Sequence, residues 1–134
     1  MYGGTLQGTA PYEEGMEAGQ MIEILDYTGE GYRPLVDFEG WRVAFLRCNE
    51  RFASLTGLER HLETDEVFVL LEGSATLYTR DGDGVMHLTP MEGHKVYNVK
   101  KAVWHHIVVS EDATVLVVEN ANTTRENTER TNVE

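Results

Sequence analysis

A chain of 134 residues is long enough to enclose one core and too short for two, so a single domain is expected. Its formal charge of −12, from 23 acidic against 11 basic residues, gives nucleic acids and anionic membrane surfaces no sequence-wide attraction. No apolar run reaches membrane-spanning length, and Cys48, the one cysteine, leaves no intrachain disulfide.

Residues 1–19 carry five glycines and Pro11 with no sustained period, and read as an irregular arm. The start Met-Tyr-Gly-Gly-Thr-Leu-Gln-Gly lacks the basic residues and apolar stretch of a secretory signal, which together with the lone thiol sets a cytoplasmic expectation. Eight segments then alternate β-branched and aromatic residues with turn formers: Met21 to Tyr27, Trp41 to Arg47, Glu66 to Leu71, Ala75 to Arg80, Val85 to Met91, Lys95 to Val99, Trp104 to Val109 and Thr114 to Val118. Asp81-Gly82-Asp83-Gly84 supplies the positive φ angles of a tight turn, so Ala75 to Met91 is expected to form a hairpin.

No stretch sustains helical periodicity over three turns, which leaves an all-β sandwich or barrel across residues 20–120 with little or no helix. From Ala121 to Glu134 the chain is almost purely polar and offers nothing to bury, so it is expected to be a mobile tail. The apolar segment Met21 to Leu25 next to the glycine-rich arm suggests an edge strand that pairs two copies, and hence a homodimer.

The chemistry concentrates in Glu59-Arg60-His61-Leu62-Glu63-Thr64-Asp65-Glu66, directly before an apolar strand that ends at Gly73. Imidazole nitrogen and carboxylate oxygen suit Zn, Mn, Fe, Ni or Co, and two histidines with one carboxylate leave open positions for chemistry. Along an extended chain Glu59, His61 and Glu63 share one face, so either glutamate can point where His61 points. The plain alternative is a solvated strand end at His61 and Glu63, with Glu66 accepting hydrogen bonds at a barrel rim. By the same alternation His106 turns away from His105.

This stretch resembles the first motif of the cupin superfamily, G-x5-H-x-H-x3-4-E-x6-G. Gly73 and Glu66 match its glycine and glutamate, and His61 its second histidine, while Glu59 and Ala53 replace its first histidine and opening glycine. Gly93 to His105 is similar to the second motif, with His105 at the histidine, Lys100 and Ala102 in place of proline and glycine, and Val109 in place of the final asparagine. The resemblance spans about Trp41 to Glu119 and implies a double-stranded β-helix, an RmlC-like jelly-roll barrel. It further implies a divalent metal (Mn, Fe, Ni, Co or Zn) on His61, Glu66 and His105, with Glu59 or Glu63 as a further ligand and Glu66 also catalytic.

Aromatic residues fill small barrels, so Phe45, Phe68, Tyr78 and Tyr97, with Arg42 or Arg47 as a carboxylate partner, are the expected substrate-binding set. Cupin barrels host isomerases, dioxygenases, decarboxylases and lyases, and the resemblance does not choose among them. The expectation is a metal-dependent enzyme acting on a small polar metabolite, a hydroxy or keto acid or a sugar derivative. The alternative is a non-catalytic cupin that binds or senses such a molecule, with or without metal.

Overall fold

The computed structural model describes residues 21–133. Its strands are β1 (Gly31–Phe38), β2 (Trp41–Arg47), β3 (Leu58–His61), β4 (Glu66–Glu72), β5 (Ala75–Arg80), β6 (Met86–Pro90), β7 (Val96–Val99), β8 (Trp104–Val109), β9 (Thr114–Asn120) and β10 (Thr128–Thr131). They form two five-stranded antiparallel sheets, one ordered β1-β2-β9-β4-β7 and the other β10-β3-β8-β5-β6. The result is an all-β jelly roll, and among the described residues the sole helical element is a 3₁₀ turn at Arg125–Asn127. No helix among them is long and apolar enough to cross a membrane.

Alternation explains the core. Phe68 and Leu70 of β4, Val115 and Val117 of β9, Ala44 and Leu46 of β2, and Leu77 and Ile107 of the facing sheet all point inward and are buried. Emptying the Phe68 site would cost about 3–5 kcal/mol. Gly73 turns the chain from β4 into β5 at φ +76°, and a Cβ there would stand 2.6 Å from the Cα of Ala113. Both the left-handed backbone and the close approach therefore require glycine. The expected hairpin forms as β5 and β6, paired from Arg80–Met86 to Thr76–Pro90.

Three elements differ from the sequence reading. Met21 to Tyr27 forms no strand, and Met21 and Ile22 are exposed; the first strand of the described region is β1. Gly31, Pro34 and Asp37 mask β1 in the sequence. Pro34 is tolerated because β1 is an edge strand whose register shifts between Pro34 and Val36. The polar stretch after Ala121 is docked rather than a free tail, for β10 pairs with β3 from Thr128–His61 to Thr131–Leu58. Polar hydrogen bonds and strand pairing hold it where apolar burial does not. The expectations placed on residues 1–19 lie outside the described residues.

Candidate metal centre

β3 and β8 meet at one registered pair, Glu59 opposite His105. The backbone N–H of Ala102 donates to the carbonyl of His61 at 2.8 Å, which ties the end of β3 to the turn that leads into β8. Glu66 opens β4 beside Val99 of β7. These elements gather Glu59, His61, Glu66 and His105 so that one donor atom from each lies within 4.8 Å of the others. His61, Glu66 and His105 are buried and Glu59 is half-buried.

Oε1 of Glu66 stands 3.0 Å from Nε2 of His61 and 3.0 Å from Nε2 of His105, while Oε2 of Glu59 is 3.7 Å from Nε2 of His61. Neighbouring donors at right angles around an ion with bonds of about 2.1 Å stand about 3 Å apart, so the close spacings fit ligands of one cation. Two imidazoles and two carboxylates are also the donor types that Mn, Fe, Co, Ni and Zn accept.

The hydrogen bonds behind the donors fix which nitrogen faces the cluster. Nδ1 of His105 lies 2.9 Å from the carbonyl of Val103, which only accepts, so Nδ1 carries the proton and Nε2 is presented to Glu66. Nδ1 of His61 pairs with Oγ1 of Thr128 at 2.9 Å. Burial opposes charge on both imidazoles, but hydrogen bonding and attraction to Glu66 outweigh it and raise both pKa values. Burial likewise opposes charge on Glu66, yet its hydrogen bonds from His105 and His61 hold the carboxyl well below the usual range. Metal-free, both imidazoles bond Oε1 of Glu66, the contacts that a cation would replace.

A second polar cluster faces the same cavity. The hydroxyl of Tyr32 donates to Oε2 of Glu119, and Nη1 of Arg42 is 3.6 Å from that oxygen. Arg42 also donates to Asp37 at 3.0 Å and to the carbonyl of Ala121 at 2.9 Å, so it is a clamp rather than a free cation. Burial, followed by the charge of Glu66, raises the carboxyl of Glu119, and burial with the Glu119 charge raises the Tyr32 hydroxyl. The cavity between the clusters measures about 160 Å³ and includes Phe68 in its wall. Four of the chain's 11 basic residues, Arg42, Arg51, Arg125 and Arg130, line it.

Of the residues singled out from sequence, His61, Glu66, His105 and Glu59 come together. Glu63 does not: β3 ends at His61, the turn breaks the alternation, and the exposed Glu63 side chain accepts from Asn122 at 3.1 Å. Phe68 lines the cavity with its ring edge towards His105, 6.2 Å between centroids. Phe45 and Arg47 sit on the opposite parity of β2 from Arg42, Ala44 and Leu46, and Arg47 instead bonds the Gly29 carbonyl and Thr114. Tyr78 alternates outward from the buried Leu77, and the Tyr97 hydroxyl accepts from the Glu92 backbone at 2.9 Å; neither lines this cavity. His106, expected to turn away from His105, is buried, stacked on Phe52 and bonded to the Ser54 carbonyl at 3.0 Å, and it lines the cavity without joining the donor cluster.

Tyr32, Glu119, Thr128 and Arg130 were not singled out from the sequence. Glu119 was legible, because it continues the inward parity of Val115 and Val117. The other three stand on β1 and β10, which carry no apolar pattern.

No protein-family model matches the chain, and a search of curated proteins finds no similar sequence. Solved structures do match. A cupin-2 domain protein from Shewanella frigidimarina is 18% identical with a TM-score of 0.53, over 70% of this chain and 84% of that one. An oxalate decarboxylase of B. subtilis is 16% identical with a TM-score of 0.58, over 77% of this chain but only 29% of that one. The QdtA 3,4-ketoisomerase of Thermoanaerobacterium thermosaccharolyticum, in complex with TDP, is 19% identical with a TM-score of 0.56, over 66% of this chain and 64% of that one. Two antiparallel sheets closed around a His and Glu cluster, with these structures as neighbours, establish that this chain has the cupin fold.

Proposed function

We propose that the protein is a metal-dependent enzyme acting on a small polar metabolite, a hydroxy or keto acid or a sugar derivative. The observation that carries this reading is the convergence of His61, Glu66, His105 and Glu59 on one point of the cavity wall. His61, Glu66 and His105 would hold Mn, Fe, Ni, Co or Zn, with Glu59 as fourth donor. A metal bound there supplies Lewis-acid polarisation of a substrate oxygen or activation of water or dioxygen.

The chain's own residues supply the rest. A cavity of about 160 Å³ admits a molecule of benzene-like size, and its wall mixes paired guanidinium and carboxylate groups that suit a polar ligand. Glu119, its carboxyl raised and bonded to Tyr32, holds a proton in the wall of the same cavity and can exchange it with bound substrate. Phe68 supplies an apolar wall beside His105. An oxalate decarboxylase and a 3,4-ketoisomerase among the neighbouring structures support this substrate range without choosing the reaction.

One observation favours the non-catalytic reading. Without a metal the donors satisfy one another, and no buried side-chain polar atom among the described residues lacks a partner. The test is elemental analysis of protein purified without chelator, followed by turnover assays of the loaded protein on small hydroxy acids, keto acids and sugar derivatives. Stoichiometric transition metal with turnover supports the enzyme; tight metabolite binding without turnover supports the sensor. A homodimer, for which the exposed Met21 and Ile22 offer apolar surface, and a cytoplasmic location, compatible with the lone thiol of Cys48, also belong to this reading. Light scattering tests the assembly, and a monomer at micromolar concentration rejects it.

A further inference from the structure

β10 runs antiparallel to β3, with Thr128 opposite His61 and Arg130 opposite Glu59. Alternation places Thr128 and Arg130 on the face that carries those two donors, and Glu129 with Arg60 on the other. Oγ1 of Thr128 lies 2.9 Å from Nδ1 of His61. Nη2 of Arg130 lies 3.2 Å from Oε1 of Glu59, which it shares with Nη2 of Arg51 at 2.8 Å. Each contact takes the donor's rear atom. His61 is left with Nε2 facing Glu66, and Glu59 with Oε2 facing Nε2 of His61.

Little apolar burial holds this strand. Its residues are half-buried or exposed, and the segment before it is fixed by polar bonds. The carbonyl of Asn127 accepts from the Leu62 backbone at 2.9 Å, and the Asn127 side chain bonds Thr124 and Asn122. Arg42 reaches the Ala121 carbonyl, and Arg60 pairs with Glu129 on the outer face. A segment tied down by exposed polar bonds opens at low free energy relative to the core.

We infer that β10 is a positioning strand for the metal centre, and that docking of residues 121–133 and binding of a divalent ion strengthen each other. The inference rests on the metal-centre reading above. Partners behind the ligands fix their orientation and typically carry 10–100-fold in metal affinity. Linkage is reciprocal, so the factor by which docking tightens the ion is the factor by which the ion tightens docking.

The test is calorimetric titration of the full chain with Mn and with Zn, together with hydrogen exchange of residues 121–133. Thr128→Val keeps the side-chain shape and removes the bond to His61; Arg130→Ala removes the bond to Glu59. Each should weaken the ion by about 10–100-fold. Thr128→Ser should restore affinity, and Glu129→Gln on the outer face should leave it within about twofold. The visible spectrum of the Co-loaded protein should shift in Thr128→Val, which a purely structural role would not produce. Exchange at Leu62 and Thr128–Thr131 should slow on metal addition. A wild type that binds tightly while Thr128→Val and Arg130→Ala bind equally well overturns this inference alone. A wild type that takes up none of the ions overturns the metal reading and this inference with it.

Discussion

Nδ1 of His105 donates to the backbone carbonyl of Val103, two residues earlier, at 2.9 Å. This local bond fixes the tautomer before any cation arrives, so Nε2 is preset as a ligand atom towards Glu66. Replacing His105 by Ala removes that ligand and leaves β8 otherwise intact. Metal affinity should fall by more than about 100-fold, since even partners behind the ligands are worth 10–100-fold. The barrel should stay folded by circular dichroism. Full metal content in His105→Ala would show that the ion sits elsewhere.

The same cluster sets opposite pH responses with and without metal. The raised His61 and His105 values stabilise the metal-free fold below the ordinary imidazole value of about 6.5, and that stability is lost as pH rises through the raised values. The depressed Glu66 value stabilises above the ordinary carboxylate value of about 4.3, and that stability is lost as pH falls through the depressed value. Glu119, raised, adds to the loss on the alkaline side. The metal-free melting temperature should therefore peak at mildly acidic pH. The increment from added Zn should grow from pH 5 to 8 as protons cease to compete. An increment that is flat or shrinks with pH would contradict the donor set.

What could be read from the sequence follows from where the information lies. Motif spacing picked out His61, Glu66, His105 and Glu59, because first-layer donors must be particular residue types at particular offsets. Alternation placed Phe68 inward with Glu66. It misled at Glu63, where a turn ends the strand, whereas Phe45 and Arg47 are suggested by residue type alone and the parity of β2, set by Ala44 and Leu46, turns them away. β1 and β10 escaped because they are edge strands, defined by backbone pairing more than by apolar pattern. With them went Tyr32, Thr128 and Arg130.

Ala102 holds φ at +67° in the turn before β8, where the resembled motif has glycine. A left-handed backbone costs a non-glycine residue about 1–2 kcal/mol, offset in part by the greater freedom of glycine in the unfolded chain. Ala102→Gly should raise stability by about 0.5–1 kcal/mol, a melting increase of roughly 2–4 °C. Gly73→Ala should do the reverse more strongly, since its Cβ would overlap Ala113. Calorimetric scans of both variants decide the matter; a destabilised Ala102→Gly would mean that the turn relaxes in solution.

Glu119 faces the cavity opposite Arg42 of β2 and bonds Tyr32, but it is not among the four clustered donors. Its raised carboxyl keeps a proton to higher pH than an ordinary glutamate, which suits it to donate one to a substrate beside the metal. Glu119→Gln keeps the hydrogen-bonding shape and abolishes the proton exchange. Turnover should fall by about 10²–10⁴-fold while metal content stays unchanged. The alkaline limb of the rate profile should disappear with it, because that limb marks the loss of the Glu119 proton. Tyr32→Phe removes a donor that stabilises the carboxylate, so the limb should move to higher pH. A Glu119→Gln enzyme with wild-type turnover and an intact alkaline limb would remove Glu119 from the chemistry and leave it a structural anchor for Tyr32 and Arg42.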